Sequence, residues 1–317
     1  MRSYYDSIPD EVKWAFFGIF SLIIVVYAIF YIFHRFFTSD LTFQLIHGTK
    51  TWWYIALGLL TLTTLPPIWG TMLVAYISFL ALREMLSISP LRASDRLAFF
   101  LCYLALPVQY YFAHIGFYNA FIVFVPIFMF IIIPSILVLS KNTRGIGRSM
   151  SMIPAILLLT VFMPSHVNIL LHMEFNNFAI GGAGLLIFGI ILVAFNDIFQ
   201  FTWGKILGYK QILPKIIPNK TLEGFILGTL TTGVLAYFIR FLTPLNPLHS
   251  ILIGLAIGIS GFMGDAILSA IKRDMRQRET GESKIRQGSV LDRLDSLVVA
   301  LPVYFHILRY LSQHVYT

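Results

Sequence analysis

The chain has 317 residues, 57% hydrophobic and only 12% charged, with a mean hydropathy of +0.79 and a formal net charge of +8. A soluble domain carries about 25% charged residues, so this composition excludes an ordinary soluble protein and indicates an all-α polytopic membrane protein. The apolar runs are of helical length, roughly 20 residues each, and lack the short alternating segments of a membrane barrel.

Ten apolar runs read as spans, at 14–34, 51–66, 68–86, 97–114, 117–139, 151–171, 178–199, 223–243, 248–271 and 290–310. The expected architecture is therefore about nine or ten transmembrane helices in one integral membrane domain, 1–317. The first run follows Asp6, Asp10 and Glu11 and is a full span long, unlike the short apolar core of a cleavable signal that follows a basic start. Pro66-Pro67 separates the second run from the third, and Thr243-Pro244-Leu245-Asn246-Pro247 separates the eighth from the ninth.

Charge supports this division. The loops after runs 1, 3, 5, 7 and 9, with their flanks, hold 19 of the 23 Lys and Arg residues. The other side keeps Arg2, Lys13, Arg240 and Arg309. Positive loops mark the cytoplasmic side, so both termini are expected outside. On this reading the excess positive charge faces anionic lipid, and no nucleic-acid partner is implied.

Residues 1–150 carry almost no charge within their spans and read as scaffold, which places the chemistry in 151–317. The single cysteine, Cys102, lies in an apolar run and reads as a small core residue. The eight histidines form no metal-ligand spacing, and no Walker loop, dinucleotide fingerprint or Ser-His-Asp set is present.

The chain's charge concentrates at one place. Residues 265–295 hold 13 of its 38 Asp, Glu, Lys and Arg residues. Charge of both signs beside a bilayer is costly and points to function. Asp265, Ser269 and Lys272 are spaced by four and three and share a helix face, with Arg273 beside them. Asp292 and Asp295, three apart in Asp292-Arg293-Leu294-Asp295-Ser296, form a second set. Two carboxylates on one face suit Mg²⁺, which takes oxygen ligands together with waters and substrate phosphates. A carboxylate in the first turn of a helix is also stabilised by the helix dipole and could be a simple cap. Upstream, Asn196-Asp197, Gly204-Lys205 and Pro218-Asn219-Lys220-Thr221-Leu222-Glu223-Gly224 form a basic, glycine-containing loop.

These motifs resemble phosphatidate cytidylyltransferases (CDP-diacylglycerol synthases). The resemblance rests on Ser269-x-x-Lys272-Arg273 followed after 18 residues by Asp292-Arg293-x-Asp295-Ser296, and on the Gly204 to Gly224 segment. It covers roughly residues 190–310. It implies transfer of the cytidylyl group of CTP to phosphatidate, giving CDP-diacylglycerol and pyrophosphate, in a Mg²⁺-dependent polar cleft on the cytoplasmic side of the C-terminal half. Asp265 and Asp292 would hold the metal, with Glu279 and Asp295 as further ligands. Lys272 and Arg273 would act on the phosphates beside them. Asp197, Lys205, Lys220, Thr221, Glu223, Ser269 and Arg293 would bind substrate.

The chain also departs from the family pattern. Arg278-Glu279 stands for Lys-Asp, Ile285-Arg286-Gln287-Gly288-Ser289 for Pro-Gly-His-Gly-Gly, and Asp197-Ile198-Phe199 for Asp-Ser/Thr-Gly. A divergent member is expected. A different lipid phosphate acceptor and a catalytically silent lipid-binding relative remain alternatives, with a transporter further behind. The expected setting is a prokaryotic cytoplasmic membrane, and the sequence leaves room for a homodimer.

Overall fold

The computed structural model describes residues 9–36, 53, 56–89, 92–139, 143–173, 180–278 and 291–315. It divides into two compact units, Met1–Thr71 and Met72–Thr317. In the first, α1 (Asp10–Phe36) and α2 (56–64) precede the opening turn of α3 (Pro67–Ile88). The Phe20 and Trp53 rings pack there at 5.7 Å.

The second unit continues α3 and adds α4 (Arg96–His114), α5 (Tyr118–Leu139), α6 (Ile146–Leu171), α7 (Gly181–Ile206), a hairpin of β1 (Gln211–Leu213) and β2 (Ile217–Thr221), α8 (Leu222–Phe238), α9 (Pro247–Arg278) and α10 (Leu291–His314). Among the described residues eight helices are long and apolar enough to cross a membrane, and α8 is a shorter apolar helix. The protein is an all-α polytopic membrane protein.

Proline shapes several of these helices. Residues Phe124–Met129 of α5, around Pro126, and Leu158–Phe162 of α6, between Pro154 and Pro164, are wound as π-helix. A proline has no N–H to give to the preceding turn, and a π-turn is one way the chain absorbs that loss.

α9 runs seven residues beyond its expected end at 271. Its last turns, from Lys272 onward, are charged. Hydropathy registers only the apolar part, whereas the backbone ladder continues. The hairpin, too, stands where the sequence pattern indicates only a loop. It is held by packing: Ile217 joins Phe262 and Ala266 of α9 in a small core, flanked by Ile212, Leu213, Ile216 and Phe225.

Buried polar ties join the helices. At the start of α4, Asp95 is fully buried. It accepts from the Arg92 backbone N–H at 3.2 Å, from Arg92 Nε at 3.2 Å and Nη2 at 2.7 Å, and from the Ser149 hydroxyl of α6 at 2.6 Å. Arg92 Nη1 also donates to the Arg144 carbonyl at 3.1 Å. Burial alone would raise the Asp95 pKa, but the hydrogen bonds from Arg92 and Ser149 outweigh it and hold the carboxyl below its ordinary value. In the same unit, buried Tyr304 of α10 donates its hydroxyl to the Leu185 carbonyl of α7 at 2.9 Å.

Candidate active site

Four helices and the hairpin converge on one polar cluster. Close packing of small residues brings them together, as is usual where helices associate within lipid. A Cβ at Gly228 of α8 would lie 2.7 Å from the Gln200 backbone nitrogen of α7, and one at Gly264 of α9 would lie 2.5 Å from the Asp295 carbonyl oxygen of α10. Only glycine permits these two approaches.

Lys220 occupies the centre. It lies near the end of β2, one residue before Thr221, whose hydroxyl caps α8 by accepting from Gly224 N–H at 3.2 Å. Its ammonium is 3.2 Å from Asp197 Oδ1 on α7, 3.4 Å from Asp265 Oδ2 on α9 and 3.1 Å from Gln200 Oε1 on α7. The Ser269 hydroxyl, one turn along α9, donates to Asp265 Oδ1 at 3.1 Å. On α10, the Ser296 side chain lies beside Asp197. Asp295 lies within electrostatic reach of Asp265, Asp197 and Lys272, and its Oδ1 accepts from the Ser296 N–H at 2.8 Å. Lys272 is buried.

Several residues named from sequence therefore meet: Asp197, Lys220, Asp265, Ser269, Lys272 and Asp295. Others sit elsewhere. Lys205 is exposed, with its ammonium 5.7 Å from the Phe201 ring, and Arg273 is exposed on α9. Thr221 and Glu223 build the junction itself: Thr221 is the cap, and Glu223 accepts from the Tyr209 N–H at 3.0 Å and the Lys210 N–H at 3.2 Å. Glu279 lies outside the described residues, and of Asp292 and Arg293 only the helical backbone belongs to them.

Gln200, central to this cluster, carries no motif in the sequence. Its signal was available, since Asn196, Asp197 and Gln200 put three polar groups within two turns, directly after the apolar run 185–195. A neutral amide, however, carries no chemistry that singles it out.

The donor set suits a hard cation. Carboxylate oxygens dominate, and a lysine ammonium lies between two of them as a tethered cation. Among the described residues no three Asp, Glu, His or Cys side chains are grouped closely enough to hold a metal by themselves. A Mg²⁺ ion commonly needs only one or two carboxylates, the rest of its shell being water and substrate phosphate, so the residues present fit such an ion.

The model of the cytidylyltransferase family matches residues 46–311, most of the chain. The chain belongs to that family. It is a membrane-embedded nucleotidyltransferase. This cytidylyltransferase is similar to the uncharacterized protein YnbB of Escherichia coli (strain K12), with 37% identity over 263 residues, 82% of this chain and 86% of that protein. It is also similar to the phosphatidate cytidylyltransferase of Chlamydia pneumoniae, 40% identical over 116 residues, covering 34% of this chain and 37% of that enzyme. The phosphatidate cytidylyltransferase of Bacillus subtilis (strain 168) is 30% identical over 141 residues, 44% of this chain and 52% of that enzyme. The match thus spans about half the length, or less, of these two enzymes.

Proposed function

We propose that this cytidylyltransferase transfers the cytidylyl group of CTP to a lipid phosphate, with phosphatidate as acceptor, forming CDP-diacylglycerol and pyrophosphate at the cytoplasmic face of a prokaryotic inner membrane. The observation that carries the proposal is the Lys220 ammonium held between the carboxylates of Asp197 and Asp265, in a cluster formed by the two segments that resemble the family's motifs.

In the reaction an oxygen of the lipid phosphate attacks the α-phosphorus of CTP. The bond from that phosphorus to the oxygen bridging the α- and β-phosphates breaks, and pyrophosphate leaves with the electron pair. The attacking oxygen is already ionised at neutral pH, so no general base is needed. Both reactants are anionic, and catalysis is then mostly positioning and charge neutralisation. Lys220 and Lys272 supply positive charge, with Arg293 as a further clamp; Arg273, exposed on α9, is left out of this set. Ser269 fixes one oxygen of Asp265 and leaves the other to face a cation. Asp265 and Asp292, with Asp295 and Glu279 as further oxygen donors, would hold Mg²⁺. The chemistry supplied there would be Lewis-acid neutralisation of phosphate charge.

The test is CTP-dependent formation of CDP-lipid by purified protein, run over a panel of acceptors: phosphatidate, an ether-linked analogue and an isoprenoid phosphate. Phosphatidate should be the best acceptor, and Asp265→Asn and Asp292→Asn should each abolish turnover. Preference for another phosphate would reassign the acceptor. CTP binding without transfer to any acceptor would make the protein a silent relative.

A further inference from the structure

We infer that Gln200 is a positioning residue, which fixes the Lys220 ammonium at the carboxylate pair and so sets where that positive charge stands when the triphosphate arrives. The inference rests on the proposed role of Lys220 in CTP binding.

The Gln200 side chain is buried, at 1% exposure, and both ends of its amide are bonded. Nε2 donates to Asn196 Oδ1 and to the Gly258 carbonyl, each at 3.2 Å. Oε1 is thereby turned toward Lys220 Nζ. The reversed amide would set its NH₂ against an ammonium and its oxygen against two acceptors, so this orientation is strongly preferred. Asn196, fully buried, is fixed in the same way. Its Nδ2 points at the Gly258 carbonyl at 3.4 Å, and its Oδ1 accepts from the Thr232 hydroxyl at 3.1 Å. A chain of oriented groups therefore runs from Thr232 on α8 through Asn196 and Gln200 on α7, with Gly258 of α9 as anchor, to Lys220 on the hairpin.

Gln200 differs from the other partners of Lys220. Asp197 and Asp265 are anions, and their hold on the ammonium weakens whenever another cation approaches them. The amide is neutral, and its hold does not depend on the charge state of the site. Gln200 is thus the fixed part of the lysine's surroundings, and the carboxylates are the variable part.

A double-mutant cycle tests this. Full-length wild type, Gln200→Met, Lys220→Met and the double variant are compared in detergent by equilibrium binding of labelled CTP without lipid acceptor, together with thermal midpoints. Gln200→Met keeps the volume and removes the acceptor. It should weaken CTP binding roughly ten- to a hundredfold, the worth of a hydrogen bond to a charged group, and should do nothing further once Lys220 is Met. Gln200→Asn, which draws the oxygen back by one methylene, should show the same coupling and serves if the Met variant does not fold. An undiminished Gln200 effect in the Lys220→Met background would mean an ordinary packing role and would overturn the inference, as would unaltered CTP binding by both variants. If wild type itself neither binds CTP nor transfers it, the proposed function fails first and takes this inference with it.

Discussion

Asp95 and the pair Asp197 and Asp265 are all carboxylates facing cations inside the second unit, yet they are built on opposite plans. Asp95 takes three hydrogen bonds from Arg92, just three residues away, and one from Ser149. The guanidinium is planar and matches a carboxylate with two parallel donors. The result is closed, with its acceptor capacity used inside the protein. At the other place two carboxylates share one ammonium at 3.2 and 3.4 Å, from a flexible point-charge side chain. The Asp197 side chain is still 40% exposed. A saturated pair fastens helices together. A pair short of cations, and open to solvent, has oxygens left for a ligand.

Substitutions can break or sharpen this contrast. Among changes to the cation partners and to Asp95, the largest effect is expected from Lys220→Met. Removing the shared cation should lower turnover by about 10²–10³-fold, the range seen when one preorganised electrostatic partner is lost, as measured by CDP-lipid formation at saturating substrates. Asp95→Ala should do the reverse. It takes away the acceptor shared by Arg92 and the buried Ser149 hydroxyl and should cost about 2–3 kcal/mol of stability, read as a lower thermal midpoint, while activity per folded molecule stays near wild type. A milder change, Arg92→Lys, keeps the charge but removes the fork, and should cost about 1 kcal/mol in the same unfolding assay.

The smallest effect is one of pH. The Asp95 carboxyl is held below its ordinary value of 3.8. A lowered folded pKa gives stability that is present above the unfolded value and is lost as pH falls through the folded one. The stability gap between wild type and Asp95→Asn should therefore be level from neutral pH to about pH 5 and narrow below about pH 4. A gap that widened in acid would mean that Asp95 is not a paired anion.

Much of the fold could be read from the chain because lipid demands long apolar helices. The runs at 97–114 and 117–139 correspond closely to α4 and α5. The hairpin could not be read this way. Its strands have three and five residues, too few to show a period, and they are held by contacts with Phe262 and Ala266 that lie far along the chain.

The site divides in the same manner. Asp265 and Ser269 are four apart on one helix, so their pairing follows from spacing, and the hydrogen bond between them agrees. The meeting of Asp197, Lys220 and Asp265 depends on how α7, the hairpin and α9 cross, and no local pattern records a crossing. Thr221 and Glu223 stood out beside Lys220, and the structure uses both side chains to shape the turn that presents it.

The two glycine approaches have a mechanical consequence. Where Gly228 meets the Cγ, backbone nitrogen and Cα of Gln200, and Gly264 the carbonyl of Asp295, the helices approach with no room for a Cβ. Sliding α8 along α7 by one turn, about 5.4 Å, in the direction that puts Thr232 in the place of Gly228 would drive a side chain into that backbone. The helices are keyed like gears at these two teeth. A movement that admits a nucleotide or a lipid would carry each keyed pair, α7 with α8 and α9 with α10, as a block, so that Asp265 and Asp295 travel together.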